Sequence, residues 1–201
     1  GPEGQRIQII LLDTRYFRSP LKAVHDRSPK AEGHSGPYGP TDDPDAVMLG
    51  EAQWTWLEQQ LKVPAEIRLI VSSIQVLPVQ HRWEKWENLP RERERLLNLI
   101  TRTNANGVIF LSGDRHAAEF SKLKRDDSYT LWELTSSSLN SPRKLENEIN
   151  DYRHGILYND ENFGMLEVDW LQDDPPITLS IRDLQGTPIM QVATRLSAIQ
   201  P

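Results

Sequence analysis

The chain has 201 residues, a net charge of −6 and no cysteine. That length suits one domain with a sizeable core, and residues 1–201 are read as a single domain. The acidic balance argues against nucleic-acid binding, which needs a basic face. The missing thiols exclude disulfides, zinc–thiolate sites and a cysteine nucleophile, and no apolar run reaches the ~20 residues that span a bilayer.

In chain order, Arg6 to Leu12 reads as a strand that begins with alternation and ends fully apolar, as an edge entering a covered sheet does. It runs into Asp13, expected to pair with Arg15 or Arg18. Ser19 to Val47 is a long proline-rich loop holding His25 and His34, of the length that usually covers a site or moves. Leu49 to Val63 carries Trp54, Leu57 and Leu61 at helical spacing and stops at Pro64. Ile67 to Leu77 reads as a buried strand, so the order strand, helix, strand implies an α/β layer arrangement.

Pro78 to Leu89 is an aromatic, charged loop with His81, Trp83 and Trp86, expected either to line a pocket mouth or to pack beneath the loop. Pro90 suits the first turn of a helix over Arg91 to Thr103, whose Arg-Glu-Arg-Glu-Arg run reads as a solvated face. Ala117 to Leu123 reads as a short helix or packed loop, and Thr130 to Thr135 as a strand. Ser141 to Asn162 reads as irregular. Phe163 to Trp170, Ile177 to Asp183 and Pro188 to Leu196 read as antiparallel strands and turns.

The stretch Gly107 to His116 stands apart. Val108 to Leu111 is an apolar run suited to a strand covered on both faces. Gly113 lets the chain turn. If the chain stays extended, Asp114 and His116 leave on one face and Arg115 on the other. A carboxylate and a neutral imidazole side by side make half of a mixed oxygen/nitrogen metal site. The same residues also fit a loop Asp capping a helix from Ala117, with His116 packed against it. Ser136 to Ser138 lack a G-x-S-x-G context, which argues against a hydrolase nucleophile there.

Several stretches taken in order resemble the PhoD-like alkaline phosphatases: residues 11–18, 49–57, 72–76, 84–90, 111–119, 134–139 and 162–164. The resemblance implies part of a four-layer α-β-β-α metallophosphoesterase sandwich, a mixed sheet with antiparallel C-terminal strands. It implies hydrolysis of phosphate monoesters or diesters with calcium and iron, in a family often exported. Carried over by residue, Asp114 and His116 would be metal ligands, with Arg115 a candidate for substrate phosphate and His81, Trp83 and Trp86 candidates for the pocket lining. The family's earlier metal-binding blocks lie upstream of its Leu-Asp-Thr-Arg stretch, and only ten residues precede Leu11 here. The chain is therefore expected to match the carboxyl-terminal half of such an enzyme. Two ligands do not fill the roughly six positions a hard cation takes. Half a sandwich also leaves an apolar sheet face bare, so a homo-oligomer or association with a missing amino-terminal half is expected. Two other readings remain open: a non-catalytic assembly or binding module, and a metal-independent serine esterase.

Overall fold

The computed structural model describes residues 1–24, 35–146 and 148–201. Both loop histidines, His25 and His34, lie outside the described residues. The apolar runs form β1 (Ile7–Leu11), β4 (Ile67–Ser72), β5 (Val108–Ser112) and β7 (Leu131–Ser136), four parallel neighbours. Two further strands, β6 (Ala118–Leu123) and β8 (Arg153–Tyr158), complete a six-stranded mixed sheet in the order β1-β4-β5-β7-β6-β8. A short ribbon pairs β2 (Lys22–Ala23) with β3 (Tyr38–Gly39). The chain ends in an antiparallel three-stranded sheet of β9 (Phe163–Val168), β10 (Pro176–Arg182) and β11 (Pro188–Arg195).

Two helices cover one face of the large sheet: α1 (Glu51–Leu61) and α2 (Pro90–Arg102). Trp54, Leu57 and Leu61 of α1 are buried, as are Leu96, Leu97, Leu99 and Ile100 of α2, because both helices turn an apolar stripe inward. The helices are tied side by side by Trp54 Nε1, which donates to Glu92 at 2.9 Å. The small sheet lies on the other face, where Gly164 of β9 sits against Leu134 of β7; a Cβ there would come within 2.9 Å of Leu134 Cδ2.

Coverage of that second face fades across the sheet. Ile9, Leu69, Ile109 and Trp132 form one register row, and Leu11, Val71, Leu111 and Leu134 the next. At β7 both rows are sealed, with Trp132 at 6% and Leu134 at 4% exposure. At β1 they are open, with Ile9 at 62% and Leu11 at 67%. Gln8 points the other way, donating to Gln60 O of α1 at 3.1 Å.

Several expectations are corrected. Ala117 to Leu123 is not helical: Ala118–Leu123 is a strand, because Glu119 and Ser121 find buried partners and need no solvent face. The stretch expected to be irregular contains β8, an exposed edge whose polar residues mask its alternation. The strand from Ile67 stops at Ser72 rather than Leu77. The charged run of α2 is not wholly solvated. Glu92 is buried and accepts the Met48 N–H at 2.7 Å besides Trp54. Arg93 is buried and donates to the carbonyls of Val76 and Leu77 at 2.7 and 2.9 Å.

Candidate functional site

The loops that leave β1, β4, β5 and β7 all emerge at the carboxyl ends of parallel strands, where open α/β sheets bind ligands. They are cross-linked there. Thr14 Oγ1 meets Ser73 Oγ at 2.5 Å, and Ser112 Oγ meets Thr135 Oγ1 at 2.9 Å.

The loop after β5 does not stay extended. Asp114 and His116 both adopt left-handed backbone, with φ of 68° and 56°, which costs a non-glycine residue roughly 1–2 kcal/mol. Ser137 holds that shape: its Oγ accepts the N–H groups of Arg115 and His116 at 3.0 and 2.9 Å. The His116 carbonyl accepts the Arg143 N–H at 2.8 Å. The expectation of an extended loop is thus corrected, yet Asp114 and His116 still line one cavity of about 260 Å³.

His116 Nδ1 lies 2.6 Å from Ser141 O. A carbonyl only accepts, so Nδ1 carries a proton, and in the neutral ring the lone pair sits on Nε2. Asp114 lies 3.4 Å from Arg15 Nη2, a loose ion pair. Burial pushes its carboxyl above the ordinary value, against the pull of Arg15.

The other expected site residues divide. Arg115 touches the cavity, but its side chain is 5% exposed and its guanidinium is paired with buried Glu148. Trp83 lines the cavity and donates to Ser35 Oγ at 3.2 Å. His81 and Trp86 are fully buried and do not line it: Trp86 Nε1 donates to Ser72 Oγ at 3.0 Å in the core. Asp13 takes neither arginine side chain. It is exposed and accepts the backbone N–H groups of Arg15 and Tyr16 at 2.9 and 3.0 Å. Both arginines reach Glu84 instead; against the pull of burial, Arg18 and Arg15 hold Glu84 below its ordinary value. Glu84 also lines the cavity.

Beneath the cavity lies a buried polar network that sequence reasoning did not assemble. Trp83 N–H donates to His81 Nδ1 at 3.2 Å, so Nε2 carries the proton and donates to Gln75 Oε1 at 2.9 Å. Gln75 Nε2 donates to Glu119 at 2.7 Å and to Thr135 at 2.9 Å. Arg153 Nε donates to Glu119 at 2.6 Å. Glu119 is therefore an interior residue. Glu133 accepts the N–H groups of Val76 and Leu77 at 2.9 and 2.7 Å, yet burial lifts its carboxyl to about 7. Polar residues within apolar strands were its only sequence signal.

The donor set fits a metal in kind and falls short in number. Asp114 and the bare Nε2 of His116 are an oxygen and a nitrogen donor on one cavity wall. Among the described residues, no three acids or histidines come together as a metal group. Ser136 to Ser138 offer no paired base: Ser136 Oγ donates to Asn162 at 2.7 Å, Ser137 serves the loop backbone, and Ser138 is buried. A larger recess of about 440 Å³ sits at the other end of the sheet, beside Asn104 and Tyr129. Asp127 is its only acid or histidine among the described residues, so it offers no comparable donor set.

The fold and site thus define a mixed α/β protein with its polar chemistry at the strand ends. Residues 3–170 match the PhoD-like phosphatase family, and the chain belongs to that family. It is similar to alkaline phosphatase D of Bacillus subtilis (strain 168), with 29% identity over 146 residues, covering 68% of this chain and 23% of that protein. It also resembles a solved structure described as the structure of PhoD, with a TM-score of 0.63 at 19% identity, over 96% of this chain and 39% of that one. The chain therefore spans about a quarter of the curated relative it matches.

Proposed function

We propose that this chain carries the strand-end metal ligands of a metal-dependent phosphatase or phosphodiesterase, acting on phosphate monoesters or diesters. The observation that carries the reading is Asp114 and His116 on one cavity wall, with the His116 tautomer set by Ser141. Membership of the PhoD-like family supports it. Calcium and iron are the metals proposed; when bound, such a centre would acidify its bound water and neutralise charge on the phosphoryl oxygens. The chain's own residues have defined tasks. Asp114 and His116 bind, Ser137 and Ser141 orient them, and Glu84 keeps Arg15 and Arg18 beside the cavity.

On this reading the remaining donors come from beyond the described residues. The open face at Ile9 and Leu11 fits half of a four-layer α-β-β-α sandwich, completed by an upstream segment or by a second copy. Among the described residues, no helix is long and apolar enough to cross a membrane. Export, as the family suggests, is part of this proposal.

Metal analysis of the purified chain, beside hydrolysis of a chromogenic phosphodiester, tests the reading. Bound metal, with hydrolysis lost in D114A, is expected. Folded, metal-free and inert protein would instead favour a non-catalytic assembly module, a reading that the incomplete donor set and the open apolar face also support.

A further inference from the structure

The cations around the cavity are not equivalent. Arg15 and Arg18 are engaged by Glu84, and Arg115 by Glu148. Arg143 lines the same cavity as Asp114 and His116, and its guanidinium has no partner among the described residues. Its backbone is nevertheless fixed. The strap that carries it is tied to the β5 loop through Ser137, through Ser141 O and through its own N–H on His116 O. Two residues further on, Asn159 clamps Leu145, accepting its N–H at 3.3 Å and donating to its carbonyl at 3.2 Å. A guanidinium with no partner among the described residues, on a pinned backbone and beside a site for a charged ester, is suited to bidentate contact with phosphoryl oxygens. The cavity also has an apolar lining, formed by Tyr38, Trp83 and Leu145.

We propose that Arg143 is the positioning residue that grips the phosphoryl group, and that the wall of Tyr38, Trp83 and Leu145 receives an aromatic or apolar group esterified to it. This rests on the phosphoester reading of the site, but it is tested by binding rather than turnover. Inorganic phosphate, methyl phosphate and phenyl phosphate are titrated by calorimetry into the metal-loaded full chain, the R143A and R143K variants, and W83A.

Loss of a charge-assisted contact should weaken phosphate binding about tenfold or more in R143A, with partial recovery in R143K. Phenyl phosphate should bind several-fold tighter than methyl phosphate in the wild type, and W83A should remove that preference. The melting temperature of R143A should match wild type, because the side chain is exposed and makes no bond among the described residues. Equal phosphate affinity in wild type and R143A, or no phosphate binding by either, overturns the Arg143 assignment. Equal binding of the two esters overturns the apolar subsite. Phosphate binding that depends on Arg143 without any ester hydrolysis leaves this inference standing and removes the phosphatase reading.

Discussion

Two clusters of charge lie at the same end of the sheet and obey opposite rules. In the lower one, Gln75, His81, Glu119, Glu133 and Arg153 are packed so that nearly every polar atom meets another. In the upper one, Asp114, His116 and Arg143 keep donors or acceptors on a cavity with no partner among the described residues. A saturated buried network stabilises one arrangement and leaves nothing for a ligand. An open cluster adds little to stability and keeps its chemistry available. Perturbed titration alone would select the lower cluster, since burial lifts Glu133 to about 7 and holds His81 well below 6.5. Access selects the upper one.

The sharpest way to break this contrast is in the lower cluster. E119A removes the acceptor of Arg153 Nε and of one Gln75 amide N–H, and removing one partner of a buried pair costs about 3–5 kcal/mol. Urea unfolding should show that loss; a change under about 1 kcal/mol would mean that the network is not structural. S137A lies between the clusters. It leaves the N–H groups of Arg115 and His116 without their acceptor, a loss of about 1–3 kcal/mol, and should weaken metal binding as well. In the upper cluster, D114A should leave the unfolding midpoint close to wild type while lowering metal affinity by about 100-fold, read by chelator competition.

A subtler test uses pH. The folded protein keeps a proton on Glu133 between 4.5 and about 7 that the unfolded chain releases, so this group makes stability fall as pH rises through that window. Buried His81, desolvated and facing Arg115, Lys85 and Arg153, resists a proton that the unfolded chain takes up below 6.5. Its contribution is therefore lost as pH falls below 6.5. The two slopes oppose each other between 4.5 and 6.5. E133Q should remove one of them, making urea midpoints drop more steeply from pH 6.5 to pH 5 than in wild type. The smallest effect is expected at the exposed Lys22–Asp42 pair, where K22A should move stability by less than about 0.5 kcal/mol.

What the sequence revealed follows the same division. Strands such as Ile67–Ser72 and Val108–Ser112 were legible because they are buried on both faces and therefore largely apolar. Ala118–Leu123 was not, because the partners that let Glu119 and Ser121 be buried, Gln75, Arg153 and Asn150, lie far away in the chain. Glu92 and Arg93 were hidden in a charge run for the same reason: their buried roles depend on Trp54, Val76 and Leu77, far away in the chain. At the cavity, Asp114 and His116 were legible as residue types. Their left-handed backbone, the strap bearing Arg143 and the Ser141 carbonyl depend on contacts of more than twenty residues' separation and leave no local mark.

The backbone of the Asp114–His116 loop limits which amino acids these two positions can accept. Left-handed φ disfavours valine, isoleucine and threonine whatever their polarity, and is most easily tolerated by glycine, asparagine, aspartate and histidine. Any attempt to retune the centre by exchanging donors must therefore work within that short alphabet. H116N should preserve the loop, whereas H116T should disturb it even though a hydroxyl can also reach a cation.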